Sequence, residues 1–267
     1  MLKKKIKDFL HKKELYYPLK YSRPFRIYQL LFKPQEIKQE RREVSFYKSF
    51  LPPCKLIFDI GANDGHKTEA FLKISDQIIS CDPDRGNFNI LQIRFRNKKS
   101  RVMIEKKALS DKKGVAVLHT HHTGSAFNTL SDKWMEILEV GGTGRWNEVI
   151  KFKEEQEVET TTLDILINKY GFPDFIKIDV EGFEESVLKG LSHPVACLSF
   201  ETLLPEYSTE LKNCLQTVES LNRSAKYNIA LHEKLVLSSF VSKPELEQWI
   251  YANTNAGSFE VIVKMAV

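Results

Sequence analysis

The sequence predicts an α/β fold with a Rossmann-like, seven-stranded, mainly parallel sheet and a helical N-terminal extension. From Lys55 onward, short apolar runs alternate with helical stretches, which is the pattern of a parallel sheet covered by helices on both faces. The first run, Leu56 to Ile60, leads into a turn between Gly61 and Gly65, where the backbone can closely approach a ligand. The predicted strands are 56–60, 77–82, 101–108, 175–180, 195–201, 227–232 and 259–265.

Three helices are predicted before the sheet. Pro34 begins the last of them, and the pair Pro52 and Pro53 stops it. We therefore divide the 267 residues into a basic helical extension, 1–50, and a main domain, 51–267. The predicted helices of the extension are 2–14, 25–33 and 35–50.

Charge is concentrated in the extension. Residues 1–50 contain 14 Lys or Arg against 5 Asp or Glu, a local charge of +9, so residues 51–267 sum to about −4 in a chain of net charge +5. Residues 1–14 are expected to form a basic amphipathic helix that either lies on an anionic membrane or packs on the main domain. Because the basic excess is confined to this end and no base-stacking motif accompanies it, we expect no nucleic-acid partner.

The remaining bulk properties indicate a cytoplasmic protein, peripheral at a membrane if residues 1–14 bind lipid. No apolar run has the length of a transmembrane span, and no signal-peptide pattern follows the N-terminal lysines. The four cysteines form no C-x-x-C pair, so we expect buried, reduced thiols. The oligomeric state stays open at this point.

The first candidate cofactor-binding group surrounds the glycine turn. Its spacing is G-x-x-x-G, whereas the dinucleotide fingerprint is G-x-G-x-x-G. We therefore expect S-adenosylmethionine as the cofactor and keep a nicotinamide dinucleotide as the alternative. Asp59 would either brace the amides of the turn or orient the amino group of the cofactor. The group comprises Asp59, Gly61, Ala62, Asn63 and Gly65.

A further acidic residue closes the second predicted strand. Asp82 follows Gly61 by 21 residues, which is the separation at which a carboxylate can accept hydrogen bonds from ribose hydroxyls. The alternative is that Asp82 caps a helix beginning near Arg85 or Asn87. We favour the ribose role because a strand and a glycine turn precede Asp82 in the required order.

Three carboxylates are the candidate catalytic residues. Asp179 and Glu181 come at the end of the strand at 175–180, and Glu201 ends the strand at 195–201. Parallel strands bring these groups to one edge, where a carboxylate could hold the cofactor amino group or accept a proton from an alcohol. The three could also bind a divalent cation, but spacing alone does not define that geometry, so no metal ligand is assigned.

The long connection at 119–158 is the expected place for a substrate lid, because it exceeds an ordinary α/β connection. Among its histidines, His122 has the best claim to act as a base. The next helix, 163–170, has clear boundaries, with Thr162 as the N-cap and Gly171 at its end.

The order of these segments resembles the FkbM family of S-adenosylmethionine-dependent methyltransferases over about residues 55–202. The Lys-Ile-Asp-Val-Glu-Gly-Phe-Glu block is the most specific part of the resemblance. At Asp82 the chain departs from the family, which usually has Glu there. The matching segments are 59–65, 81–83, 108–111 with Gly114, 124–125, 162–164 and 176–184.

The resemblance implies a class I methyltransferase fold whose last strand, 259–265, runs antiparallel. It also implies O-methylation of hydroxyls on sugars, glycans or secondary metabolites, so the expected partner is a small-molecule or glycan acceptor. By the same resemblance, Ala108, Leu109 and Ser110 would border the adenine of the cofactor.

The leading hypothesis is an O-methyltransferase in which the acceptor oxygen attacks the sulfonium methyl in line. One of Asp179, Glu181 and Glu201 is expected to take the hydroxyl proton. Two alternatives stay open: a nicotinamide-dependent oxidoreductase, and a noncatalytic docking protein that uses the basic extension to reach a membrane or an assembly.

Overall fold

The computed structural model describes residues 9–10, 15–140 and 150–266, and its architecture is an α/β fold. Helices cover both faces of a large sheet, and a small sheet stands beside it. The strands are β1 (Cys54–Ile60), β2 (Ser75–Cys81), β3 (Val102–Glu105), β4 (Ala108–Leu109), β5 (Gly114–Thr120), β6 (Glu154–Thr161), β7 (Phe175–Ile178), β8 (Cys197–Leu204), β9 (Lys226–Leu231), β10 (Lys234–Leu235) and β11 (Gly257–Lys264). The described helices are α1 (Tyr16–Lys20), α2 (Arg23–Phe32), α3 (Pro34–Lys48), α4 (His66–Phe71), α5 (Arg85–Arg94), α6 (Asp132–Val140), α7 (Leu163–Tyr170), α8 (Glu184–Lys189), α9 (Ser208–Leu221) and α10 (Lys243–Ala252).

The large sheet has the strand order β10-β9-β11-β8-β7-β1-β2-β3. Strands β3, β2, β1, β7 and β8 pair in parallel, whereas β11 pairs antiparallel with both β8 and β9. Each of the seven predicted strands has a counterpart in this sheet, but the sheet has eight strands because β10 pairs with β9 at its edge. The antiparallel last strand that the resemblance implied is confirmed. Because the order along the sheet reverses at β1, the carboxyl ends of β1, β2 and β7 form a crevice at one edge.

The prediction was wrong in two places. The expected strand 101–108 divides into β3 and β4, and β4 belongs to a separate sheet of order β4-β6-β5. The connection at 119–158 is not irregular throughout, since it contains the end of β5, helix α6 and the start of β6. Strand β6 carries four glutamates and buries side chains mainly near its end, so it contains no apolar run that would announce it.

The helix predictions for 25–33 and 35–50 are confirmed as α2 and α3. Helix α2 begins slightly earlier because the Ser22 hydroxyl accepts a hydrogen bond from the Phe25 amide at 3.3 Å. Helix α7 has the predicted cap, in which the Thr162 hydroxyl accepts a hydrogen bond from the Ile165 amide at 3.2 Å.

The predicted helix 2–14 lies outside the described residues apart from 9 and 10. No helix in the described ranges has the length and hydropathy needed to cross a bilayer.

The end of α3 is packed against the sheet by a cluster of aromatic rings. The Tyr47 ring lies 4.7 Å from that of Phe71 and 5.9 Å from that of Phe175, and Phe50 joins the same cluster. Tyr47 is almost fully buried, and within the described chain its hydroxyl has no hydrogen-bond partner. These contacts attach the predicted extension to the predicted main domain, while the boundary at residue 50 stays a prediction.

Tyr47 permits a test of this packing. We expect Tyr47→Ala to lower the free energy of unfolding by about 3–5 kcal/mol, because it removes a buried ring. We expect Tyr47→Phe to be neutral or to stabilise by about 1 kcal/mol, because it removes only an unsatisfied hydroxyl. Urea unfolding of the three proteins measures both values. A large loss of unfolding free energy in Tyr47→Phe would mean that the Tyr47 hydroxyl has a hydrogen-bond partner.

Candidate active site

A cavity opens at the carboxyl ends of β1, β2 and β7, where the strand order predicts a ligand site. It contains about 790 Å³ of space between protein atoms, part of it open to solvent. Its wall is formed by Ile60, Gly61, Asn63, Cys81, Asp82, Pro83, Asp84, Asn87, Lys107, Ala108, Leu109, Leu118, Ser125, Ala126, Asn128, Thr129, Leu130, Asp179, Val180, Glu181 and Phe183. We call this space the first cavity.

The glycine turn after β1 brings the strand ends together. Gly61 has φ +80°, and a Cβ at this position would lie 1.8 Å from the carbonyl oxygen of Asp179. The amides of Gly61 and Ala62 donate to the Cys81 carbonyl at 2.9 and 3.0 Å, so the turn is also bonded to the end of β2. Only glycine at 61 permits this approach of β1 to β7.

Asp82 lies at the end of β2 and holds the turn in place. Its carboxylate accepts hydrogen bonds from the amides of Asn63 and Asp84, at 2.8 and 2.9 Å, and from the Asn87 side-chain nitrogen at 3.3 Å. Burial raises the pKa of Asp82 to about 7, although these three bonds oppose the shift. A carboxylate has roughly four acceptor positions, so one is left for a ligand.

The helix after β2 is capped by a different residue from the one that the alternative named. The Asp84 carboxylate accepts from the Asn87 amide at 2.8 Å and is therefore the N-cap of α5. Asn87 is buried in the wall of the first cavity, and in the part of the chain that the structure describes its side-chain oxygen has no hydrogen-bond partner. A buried orphan acceptor next to Asp82 fits the hydroxyls of a ribose.

The opposite part of the wall is apolar. Pro83, Ala108, Leu109 and Leu118 line it, and such side chains suit the flat face of an adenine. Ser110, which the resemblance also placed beside the adenine, does not reach the wall, because its hydroxyl is bonded to the Asp111 carboxylate at 2.9 Å. The fit of this cavity to an adenosine therefore rests on acceptors at one side and apolar side chains at the other.

Three other residues of the predicted cofactor group support the turn without lining the cavity. Asp59 is buried and accepts a hydrogen bond from the Thr68 hydroxyl. Burial raises the pKa of Asp59 to about 6, although Thr68 and Lys177 oppose the shift. Ala62 and Gly65 also stand behind the wall. Asp59 is therefore bonded to α4 and does not line the first cavity, and among the described hydrogen bonds no amide of the turn donates to it.

A buried lysine organises the catalytic carboxylates. The Lys177 ammonium lies inside the sheet, 2.9 Å from the Asp179 carboxylate and 3.8 Å from that of Glu260. Burial would raise the pKa of Asp179, but Lys177 and a hydrogen bond from Glu201 outweigh it and lower that pKa. Burial and the charge of Asp179 together raise the pKa of Glu201 to about 8. Asp179 is therefore the ionised member of the pair, and Glu201 is the protonated one.

Glu181 lies between two spaces. It lines the first cavity and also a second cavity of about 250 Å³, and Glu201 lines only the second. The backbone of Glu181 has φ +54°, a strained conformation for a residue that is not glycine. Burial, Asp179 and Glu201 raise the pKa of Glu181 well above its ordinary value. The second cavity is formed by Trp134, Glu181, Gly182, Glu184, Glu201, Thr202, Leu203, Tyr207 and Ser258.

The segment from 121 to 130 covers one side of the first cavity, as expected for part of a lid. The Asp84 carboxylate accepts from the Gly124 amide at 2.9 Å and from the Asn128 side chain at 3.2 Å. The Thr129 hydroxyl donates to the Glu181 carbonyl at 2.7 Å. His122 lines neither cavity, and its ring Nδ1 lies 3.2 Å from the Thr123 carbonyl.

Several site residues escaped the sequence prediction. Asp84 follows Asp82 by two residues and could have been found as an N-cap before α5. Lys177 lies inside the Lys-Ile-Asp motif, but its burial depends on the sheet around it. Trp134 and Tyr207 come from α6 and the start of α9, and no local pattern joins them. Within the described ranges, no three His, Cys, Asp or Glu side chains are grouped so as to hold a metal ion.

The strand order, with an antiparallel β11 between β8 and β9, and the cavity at the reversal point are those of the class I methyltransferase fold. The family model "Methyltransferase FkbM domain" matches residues 59–221, which is more than half of the chain. The chain therefore belongs to the FkbM methyltransferase family, as the resemblance predicted. Membership of this family decides between the two cofactors in favour of S-adenosylmethionine.

Solved structures of methyltransferases are similar in fold. The methyltransferase FkbM from Methylobacillus flagellatus KT is 16% identical, with a TM-score of 0.48 over 80% of this chain and 44% of that chain. The precorrin-6y C5,15-methyltransferase from Geobacter metallireducens GS-15 is 9% identical, with a TM-score of 0.43 over 84% and 87% of the two chains. An rRNA methylase from Streptococcus thermophilus is 10% identical, with a TM-score of 0.41 over 84% and 94%.

The chain thus spans less than half of the length of that FkbM protein. A comparison with curated protein sequences gives no match.

The close approach at Gly61 predicts a large effect of one methyl group. We expect Gly61→Ala to lower the free energy of unfolding by roughly 3 kcal/mol or more, because the new Cβ would overlap the Asp179 carbonyl. Gly257 has φ +82° with open space around it, so Gly257→Ala should cost only the conformational strain, about 1–2 kcal/mol. Urea unfolding compares the two. Equal losses would show that the Gly61 contact is not a close one.

The raised pKa of Glu201 predicts a pH-dependent stability. A carboxyl whose folded pKa is raised stabilises the fold below its ordinary pKa, and that stability is lost as the pH rises through about 8. We expect wild-type stability to fall between about pH 5.5 and pH 8.5, and Glu201→Gln to remove up to about one proton from this dependence. Part of the pH dependence should remain in the variant, because Asp82 and Glu184, each with a pKa of about 7, also contribute to it.

The exposed Glu136→Gln variant is the control for this measurement and should retain the wild-type dependence. Urea unfolding at several pH values provides the data. Parallel curves for wild type and Glu201→Gln would contradict a protonated Glu201.

Proposed function

We propose that the chain transfers a methyl group from S-adenosylmethionine to a hydroxyl of a sugar, a glycan or a secondary metabolite. The observation that carries this proposal is the position of Glu181, whose side chain lines both the first and the second cavity. A cofactor in the first cavity and an acceptor in the second would meet at this carboxyl group.

The residues of the first cavity would hold the cofactor by its three chemical parts. Asp82 and Asn87 have acceptor positions for the ribose hydroxyls, and Ala108 with Leu109 forms an apolar wall for the adenine. Asp179 is the carboxylate that Lys177 keeps ionised, so it would attract the cofactor's amino group. When bound, S-adenosylmethionine supplies a methyl group attached to a positively charged sulfur atom.

An alcohol becomes a good nucleophile only as it loses its proton, so a base is needed near the acceptor oxygen. Of the three candidate carboxylates, Glu181 is the one that lines both cavities, so we assign it the role of the base. A positive charge in the first cavity would lower the raised pKa of Glu181 and favour its ionised form. The Glu181 carboxylate would take the hydroxyl proton as the oxygen bonds to the methyl carbon, and the carbon–sulfur bond would break with its electron pair left on the sulfur atom.

The second cavity has room for one hydroxyl of an acceptor, whose remaining part would lie outside it. Trp134 and Tyr207, with ring centroids 5.9 Å apart, are buried against each other in its wall. Thr202, Ser258 and the carboxyl groups supply hydrogen-bonding positions for hydroxyls. The lining contains three glutamates and no lysine or arginine, which disfavours a nucleic acid with its phosphates. We therefore propose that the acceptor is not a nucleic acid.

Membrane contact through residues 1–14 remains a proposal that rests on their basic amphipathic sequence. The noncatalytic alternative would use the same extension for docking, and it predicts that the carboxylates of the site are dispensable for activity in cells.

Separate measurements of cofactor binding and of methyl transfer distinguish the proposed roles of Asp82 and Glu181. We expect Asp82→Asn to weaken binding of S-adenosylmethionine, measured by calorimetry, by about tenfold, because a charged acceptor is lost. Glu181→Gln should bind the cofactor normally but transfer labelled methyl to a glycan extract about a hundredfold more slowly. Glu136→Gln, an exposed substitution on α6, is the control for both measurements.

Failure of the wild-type chain to bind S-adenosylmethionine would overturn the proposal. Full transfer by Glu181→Gln would assign the base elsewhere. Normal cofactor binding without transfer to any hydroxylated compound in the extract would favour the noncatalytic alternative.

A further inference from the structure

Helix α2 turns its polar side toward the protein. The Arg26 guanidinium donates to both carboxylate oxygens of Glu40 on α3, at 2.7 and 2.6 Å, and the Gln29 amide donates to Glu36 at 3.2 Å. These contacts attach α2 to α3 through polar groups. A surface helix normally packs its apolar stripe on the protein and leaves its polar side in water, so the orientation of α2 is inverted.

The opposite side of α2 is apolar and exposed. Five of the large apolar side chains of α2 are 44–68% exposed, and positions 27, 30 and 31 have the spacing of one helix face. Exposed apolar residues are common singly, but a contiguous group of this kind marks an interaction surface. The group, called here the apolar face of α2, consists of Ile27, Tyr28, Leu30, Leu31 and Phe32.

Charge decides between two candidates for the occupant of this face. Residues 1–50 carry a net charge of +9, so a second copy of the chain would bring like charge against like. An anionic lipid surface would bring the opposite charge together with an apolar interior. Within the described residues, Arg23 on α2 takes part in no ion pair and is available to lipid headgroups. Lys38, Arg41 and Arg42 also take part in none, but they line a groove that α3 forms with residues 232–235.

We infer that the apolar face of α2 docks on an anionic bilayer surface. The net positive charge of the extension would favour contact with the lipid headgroups. The helix lies along the membrane in this arrangement and does not cross it. The inference concerns described residues of α2 and is independent of the sequence-based expectation for residues 1–14.

The docked helix would stand beside the cofactor site. At the end of α1, the Tyr21 hydroxyl donates to the Asp64 carboxylate at 3.1 Å, and the Arg94 guanidinium lies 4.8 Å from the Tyr21 ring centre. Asp64 belongs to the glycine turn that forms the wall of the first cavity. If the proposed function holds, the acceptor hydroxyl therefore belongs to a group carried on a lipid anchor in the same bilayer.

Vesicle binding by the full chain tests the inference without any need for methyl transfer. We expect the chain to float with vesicles of phosphatidylcholine containing about one third phosphatidylserine, and to bind pure phosphatidylcholine weakly. Binding should weaken when the salt concentration rises from about 0.1 M to about 1 M.

The double variant Ile27→Glu with Leu31→Glu should reduce binding to the anionic vesicles by about tenfold or more, because two acids enter the apolar face. The matched control is Phe172→Glu with Tyr251→Glu, which changes the net charge equally at two exposed apolar residues outside the extension. The control should bind as wild type. Urea unfolding and calorimetry with S-adenosylmethionine show that each variant retains its fold and its cofactor site.

Three results would overturn the inference. They are a wild-type chain that does not bind anionic vesicles, a double variant that binds them normally, and a control that loses as much binding. A wild-type dimer in sedimentation that dissociates in the Ile27→Glu, Leu31→Glu variant, without vesicle binding, would assign the face to a second copy. Loss of vesicle binding with intact cofactor binding would leave the proposed function untouched.

Discussion

The site depends on the contact between the glycine turn after β1 and the backbone at the end of β7. Gly61 fits there because it has no Cβ to meet the Asp179 carbonyl, and the same turn bonds to the end of β2. Three strand ends are thus held within one hydrogen-bonded unit. The positions of Asp82 and Asp179 follow from this unit, since each continues a strand that the turn contacts.

The carboxylates of the site are placed in a region where charge is costly. Lys177 is buried, so its ammonium needs partners, and Asp179 and Glu260 provide them. A third carboxyl in the same region is Glu201, whose pKa is raised to about 8 because burial and the negative charge of Asp179 both oppose its ionisation. The cluster therefore contains both an ionised and a neutral acid side by side. Glu181, next to this pair and open to both cavities, is the carboxyl whose protonation can respond to a ligand.

The extension is connected to the domain in two different ways, by a shared buried core at the end of α3 and by polar contacts at α2. Tyr47 packs among the aromatic rings of the domain, whereas α2 is attached to α3 by ion pairs and keeps its apolar side outward. Tyr21 and Arg94 meet at the glycine turn. An event at the surface of the extension is therefore close in space to the entrance of the cofactor cavity.

The sequence by itself determined the mainly parallel sheet, the antiparallel last strand through the family resemblance, and the motif residues Gly61, Asp82 and Asp179, because apolar runs and short motifs are local properties of the chain. Tertiary structure alone decided that Asp59 lies behind the wall and that Asp84 caps α5. It also decided the small sheet and the second cavity. The aromatic residues of that cavity come from segments far apart in the chain, and β6 has no apolar run, so their positions depend on long-range packing that no local pattern records.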